Sequence, residues 1–194
     1  MSRRNKHLAL VRRPSSVLVA STVVYGRVLV ELLVVAPGLV GRMLGPALAF
    51  SAVLLTLAVA VFLRQRDSSD AEPPPRQNPA RMRQALTFAA LYVTILFAVA
   101  AGRDWIGEDA VFGVAFVSGL TDVDALTLSV GQLFTNGETE AATAWRAIFL
   151  ATLSNLLFKT VAAAVLGSAE LRRWILGAGV IALTSGSLIV AFWP

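Results

Sequence analysis

Residues 118–130 read Ser-Gly-Leu-Thr-Asp-Val-Asp-Ala-Leu-Thr-Leu-Ser-Val, two carboxylates set inside a long apolar stretch. The surrounding segment, about 110–133, is long enough to cross the hydrocarbon of a bilayer, which takes about 20 mostly apolar residues. Asp122 and Asp124 are therefore expected at membrane depth. No water solvates a carboxylate there, so each needs a partner, a proton or a wet cavity. Gly disfavours a helix interior by about 1 kcal/mol, and Asp and Thr compete with the backbone for its hydrogen bonds. The Gly119–Asp124 stretch is thus where this span is open to a break.

The rest of the chain fits the same solvent. Of its 194 residues, 56% are hydrophobic and only 15% charged, against about a quarter charged in soluble domains, and the mean hydropathy is +0.70. Apolar runs at about 16–36, 44–63, 84–101, 110–133, 143–166 and 174–193 predict an all-α, polytopic integral membrane protein of about six transmembrane helices. Residues 1–14 form a basic tail, and 15–194 a single helical membrane domain. The polar stretch 64–80, with Pro73, Pro74, Pro75 and Pro79, reads as a cytoplasmic linker. The apolar run after the tail is too long for a signal peptide and carries Arg27 and Glu31, so it reads as a retained span. Cysteine is absent, which excludes disulfides and thiolate metal sites. His7 sits in the basic tail and reads as solvated.

The net charge of +5 would suggest nucleic acid in a soluble protein. Here the basic residues flank spans, so they predict topology and no nucleic-acid partner. With six spans and the N-terminus inside, one side takes eleven basic residues: Arg3, Arg4, Lys6, Arg12, Arg13, Arg64, Arg66, Arg76, Arg81, Arg83 and Arg146. The other takes four: Arg42, Arg103, Arg172 and Arg173. This predicts that both termini are cytoplasmic, in the cell (inner) membrane of a prokaryote, with Arg172 and Arg173 fitting least well. Trp105, Trp145, Trp174 and Trp193 fall at span ends, where indoles favour the interface.

Three further patterns concern packing. Gly41, Gly45 and Ala49, and likewise Ala178, Ala182 and Gly186, repeat every four residues, as small residues do where membrane helices approach closely. The bland reading is packing within one bundle; the sharper one is the seam of a homodimer or other homo-oligomer. Gln84, Thr87 and Thr94 line one face of span three. A displacement of 132 positions lays spans one and two over spans five and six without a gap, with Arg27 on Lys159 and Leu44-Gly45 on Leu176-Gly177. Six spans give spans one and five the same direction, hence a parallel repeat, but the identities are so few that chance accounts for them more readily.

Five ionisable side chains fall inside spans: Arg27, Glu31, Asp122, Asp124 and Lys159. At about 2.5–3.5 kcal/mol each, five unpaired charges would cost over ~12 kcal/mol, so pairing is expected. Arg27 and Glu31, four apart on one helix, form a buried charge pair. Lys159 closes a polar stripe with Thr152 and Asn155, beside Ser154, and is the natural partner for Asp122 or Asp124. The sum of the five is −1, leaving one carboxylate for a cation or proton.

Ser118–Val130 resembles the Gly-Leu-x-Asp-Val-Asp-Ala-x-Thr-Leu-Ser signature of the membrane domain of unknown function that follows MgtC/SapB-like domains in prokaryotic proteins. Ser154-Asn155-Leu156-Leu157-Phe158-Lys159 is similar to that family's Ser-Asn-x-x-x-Lys motif, and Arg27-Val28-Leu29-Val30 to a third patch. The resemblance covers nearly the whole chain after the tail. It implies a polytopic membrane domain without an established activity, in a context of magnesium or envelope physiology. This chain has no MgtC-like half, which implies action alone, self-association or a separately encoded MgtC-like partner.

Three functions compete. In the first, the chain is a membrane transport or channel component for a cation (Mg²⁺, Na⁺ or H⁺) or a small solute. Asp122 and Asp124 hold the ion or metal, Thr127 and Asn155 add neutral oxygens, and Lys159 is the internal counter-ion. A bound cation is then the only cofactor. In the second, it is a non-transporting accessory or regulatory protein whose charges are structural ion pairs. The third, an intramembrane aspartyl enzyme, fares worst: residues i and i+2 point about 200° apart on a helix, and no catalytic Ser–His, metal or phosphate-loop motif is present. The expectation is a non-enzyme.

Overall fold

The computed structural model describes residues 14–66, 110–166 and 169–194. They form six helices: α1 Pro14–Val35, α2 Pro37–Arg66, α3 Ala110–Thr121, α4 Val123–Thr135, α5 Ala141–Leu166 and α6 Ala169–Phe192. Four of them carry apolar stretches long enough to cross a membrane, Val17–Val35, Pro37–Leu63, Ala141–Val165 and Arg172–Phe192. The protein is all-helical and membrane-embedded. The expected span at 84–101, with Gln84, Thr87 and Thr94, and the linker at 64–80 beyond Arg66 lie outside the described residues.

Chain reversals follow local chemistry. Ala36 alone separates α1 from α2, and Pro37 opens α2 at the position where a missing N–H costs nothing. The second span therefore starts seven residues earlier than its hydropathy indicates. The α4–α5 turn is the predicted Asn136-Gly137: Asn136 caps α4 and Gly137 takes a φ of 77°, which glycine adopts without strain.

Contacts fix the directions of the helices. Tyr25 of α1 meets Phe50 of α2 across their hairpin, ring centroids 5.5 Å apart. In the α5–α6 hairpin Leu153 lies against Gly186 and Thr160 against Gly179. Where the hairpins meet, Phe50 lies against Gly186 and Gly45 against Trp193, so α2 and α6 are antiparallel. Three successive reversals leave α6 parallel to α1 and α5 antiparallel to it. Along α1, Arg27 meets Asp124, Leu32 meets Gly131, and the Val35 carbonyl accepts from Thr135 Oγ1 at 3.1 Å, so α4 runs with α1. Phe116 meets Ser154 and Gly119 meets Ala151, so α3 runs against α5 and feeds α4 in one direction.

The described helices thus make five passes, with α3 and α4 sharing one. The start of α1 and the end of α6 lie at opposite ends of the bundle. This corrects the expectation of termini on one side, and its cause is that spans one and five are antiparallel. The observed arrangement moves Arg172 and Arg173 to the end where α1 begins and α2 finishes, leaving Arg42 and Arg146 at the other. The two arginines that fitted least well now strengthen the basic bias.

At the centre, Tyr25, Phe50 and Phe149 from α1, α2 and α5 meet in tilted and edge-to-face contacts with centroids 5.5–5.6 Å apart, a geometry worth about 0.5–1.5 kcal/mol per pair beyond burial. Trp145 adds to them at 6.2 Å and is fully buried; it is a core residue rather than an interfacial indole. Ala178, Ala182 and Gly186 are buried, with Gly186 against Phe50 and Leu153, so that stripe serves packing within the bundle. Single-cysteine variants of this cysteine-free chain test the topology. Arg42→Cys and Glu138→Cys are expected to react with a membrane-impermeant thiol reagent from one face and Arg172→Cys from the other. Six simple spans would instead pair 42 with 172.

Candidate functional site: a broken helix beside an ion-pair network

The break falls at Asp122, three residues beyond Gly119. Asp122 has extended backbone (φ −147°, ψ 112°), and its carboxylate accepts the Asp124 N–H at 2.9 Å as the N-cap of α4. Such a side chain meets one of the four amides that a helix start leaves unpartnered. Gly119 itself stays within α3, and it lets α3 touch α5. A Cβ there would lie 2.6 Å from the Ala151 Cα and closer still to its carbonyl oxygen.

A break also strands the Gly119 carbonyl near the end of α3, and α5 supplies its donor, Asn155 Nδ2 at 3.1 Å. One turn earlier Ser154 Oγ, also from α5, donates to the Phe116 carbonyl inside the helix. The Ser118 carbonyl accepts from the Asp122 N–H at 2.7 Å and from Thr121 Oγ1 at 3.0 Å. The Ser-Asn pair of the sequence motif is thus the clamp that holds the interrupted span.

The charges pair differently from expectation. Arg27 bonds Glu31 through Nε at 3.3 Å, as the i, i+4 spacing implies, and reaches across to Asp124 of α4 through its other arm. It therefore ties α1 to the first turn beyond the break. Its side chain is 63% exposed, so the pair is not buried on both sides; Glu31 is 18% and Asp124 22% exposed. The Glu31 Oε2 atom is buried without a hydrogen-bond partner. Lys159 bonds neither aspartate and has no hydrogen-bond or ion-pair partner among the described residues.

The remaining candidates are spread out. Thr127 is buried and donates to its own helix at Val123 O, 2.9 Å. Asn155 commits its amide to Gly119. Asp122 is exposed, and its carboxylate points back to its own backbone while that of Asp124 points to Arg27. No group of three or more acidic, cysteine or histidine side chains that could hold a metal ion exists among the described residues.

Sequence reasoning missed Tyr25. Its hydroxyl lies 2.6 Å from Thr152 Oγ1, which itself donates to the Phe149 carbonyl at 2.6 Å, so Tyr25 is the donor. Its signal was a single tyrosine, two residues before Arg27, in a valine-rich span. Ser21, Tyr25, Thr152 and Asn155, with Val24, Phe50 and Leu156, line a small space between α1, α2 and α5 that leaves no room for a water molecule. Gly119→Ala is expected to destabilise the protein by about 1–3 kcal/mol through forced separation of α3 from α5, read as a lower Tm in detergent. Asp122→Asn should keep the cap and the Tm, whereas Asp122→Ala should cost about 1 kcal/mol.

The chain is 27% identical over 179 residues to an uncharacterized protein of Aquifex aeolicus (strain VF5), covering 91% of this chain and 78% of the relative. No solved structure matches. The family model described as a domain of unknown function, DUF4010, matches residues 1–167, taking in the basic tail, the broken helix and α5 but stopping before α6. The chain belongs to the DUF4010 family.

Proposed function

We propose that this protein is a membrane transport component for a cation or small solute, centred on the discontinuous α3–α4 helix. The observation that carries the reading is an interrupted span whose capping carboxylate, Asp122, is exposed while its neighbour Asp124 is held by Arg27. Discontinuous membrane helices recur where solutes and ions bind, since a helix end offers dipole and backbone groups that a continuous helix hides. Neither carboxylate belongs to a closed metal cage, which favours a transient cation that keeps part of its water over a resident metal. Release of Asp124 from Arg27 would provide the second carboxylate.

A second reading has an observation of its own. Arg27 pairs with Asp124 and Glu31 together, and the small space between α1 and α5 leaves no room for water, as in a non-transporting accessory protein whose ion pairs fix helix register. Self-association, or a separately encoded MgtC-like protein, would then supply the activity. Under either reading the protein sits in the prokaryotic cell membrane, with the Arg172–Arg173 end on the cytoplasmic side.

Flux into proteoliposomes separates the two. Wild type is expected to admit a cation such as Mg²⁺ or Na⁺ above the protein-free background. Asp124→Asn is expected to lower flux at least tenfold, and Asp122→Asn, which preserves the cap, to lower it without loss of Tm. Background flux for wild type and both variants favours the accessory role.

A further inference from the structure

The two hairpins overlay at a displacement of 132 positions, and the structure adds what the few identities did not supply. The overlay puts the first residue of α2, Pro37, on the first of α6, Ala169. In the second hairpin Thr160 meets Gly179 and Leu153 meets Gly186. Their equivalents, Val28 with Ala47 and Ser21 with Leu54, are all buried and are the rungs on either side of the observed Tyr25–Phe50 contact. Burial agrees along α2 and α6 too: Met43, Pro46, Ala47, Phe50 and Leu54 overlay buried Ile175, Ala178, Gly179, Ala182 and Gly186. Because α1 and α5 are antiparallel, as are α2 and α6, the relation is an inverted repeat about an axis in the membrane plane rather than the parallel one expected. The small space lined by Val24 and its equivalent Leu156 lies between the two copies.

Arg27 and Lys159 are equivalent in this overlay. Helical side chains lean toward the N-terminus of their helix, so on antiparallel helices these two lean toward each other and toward the axis. One holds Asp124 and the other has no ion-pair partner among the described residues. We propose that α1–α2 and α5–α6 are an inverted repeat in which Arg27 and Lys159 are alternative partners of Asp124, one for each of two opposite-facing arrangements of the bundle. The alternation rests on the transport reading above; the repeat does not.

A double-mutant cycle on the purified protein tests the alternation by the sign of its coupling. If Lys159 takes over Asp124 when Arg27 is gone, Arg27→Gln and Lys159→Gln together lower Tm beyond the sum of the single losses, by roughly 3 °C or more. If Lys159 merely repels Arg27, the double loss equals or falls short of the sum, and the proposal is overturned. Where a glutamine variant fails to fold, cysteine pairs replace the cycle in native membranes. Asp124→Cys is expected to cross-link with Arg27→Cys and, in a second double variant, with Lys159→Cys; cross-linking only to position 27 overturns alternation. Both cross-links without wild-type flux would remove the transport reading and leave the repeat, whereas flux with a single cross-link would remove alternation alone.

Discussion

A helix can stop and restart inside a bilayer only if something other than water satisfies the backbone groups it releases. That constraint organises this bundle. Two side chains meet it at Asp122: the aspartate caps the new helix and Asn155 takes the Gly119 carbonyl near the end of the old one, while Ser154 donates to Phe116 a turn earlier. Both donors come from α5, so α5 must lie against α3, and Gly119 is what allows backbone to meet backbone there. Seating α5 then brings Phe149 and Thr152 to Tyr25, which locks the second hairpin to the first.

The charges obey the same constraint. A guanidinium is the one side chain that can hold two carboxylates by separate edges of a planar fork, and Arg27 does so from a single turn of α1. Its bond to Asp124 joins two helices just beyond the break, so it reports on the position of α4, whereas its bond to Glu31 stays within α1. The first is therefore the interaction that a change in bundle shape must alter, and the second is available to keep Arg27 paired while that happens.

Helices, their apolar lengths and the interruption of span four were legible because each rests on local chemistry: hydropathy over about 20 residues, a proline, an Asn-Gly turn, a pair of aspartates. The partners of the charges were not. Lys159 looked suited to Asp122 or Asp124 because charges inside spans need partners, yet that need says nothing about which way a helix runs, and α5 descends where α1 rises. The small-residue stripe on α6 was visible, but its target, Phe50, lies across a contact between helices far apart in sequence. Tyr25 was overlooked for the same reason: its hydroxyl is explained only by Thr152 and the Phe149 carbonyl.

The inverted relation also explains why the duplication left so little trace in the residues. Where two copies of a hairpin face each other across an axis, equivalent positions must fill one shared space, and two large side chains cannot do so at interior packing density. Phe50 and Leu54 on one copy accordingly overlay Ala182 and Gly186 on the other, and Phe50 fills the room that Gly186 leaves. Selection for contact thus drives the copies toward complementary rather than similar residues. The cations differ in the same spirit. Arg27 engages two carboxylates at once, while a lysine in the equivalent place is a point charge on a flexible stem. The state in which Arg27 holds Asp124 is therefore the more strongly paired of the two, and the one in which the bundle is found.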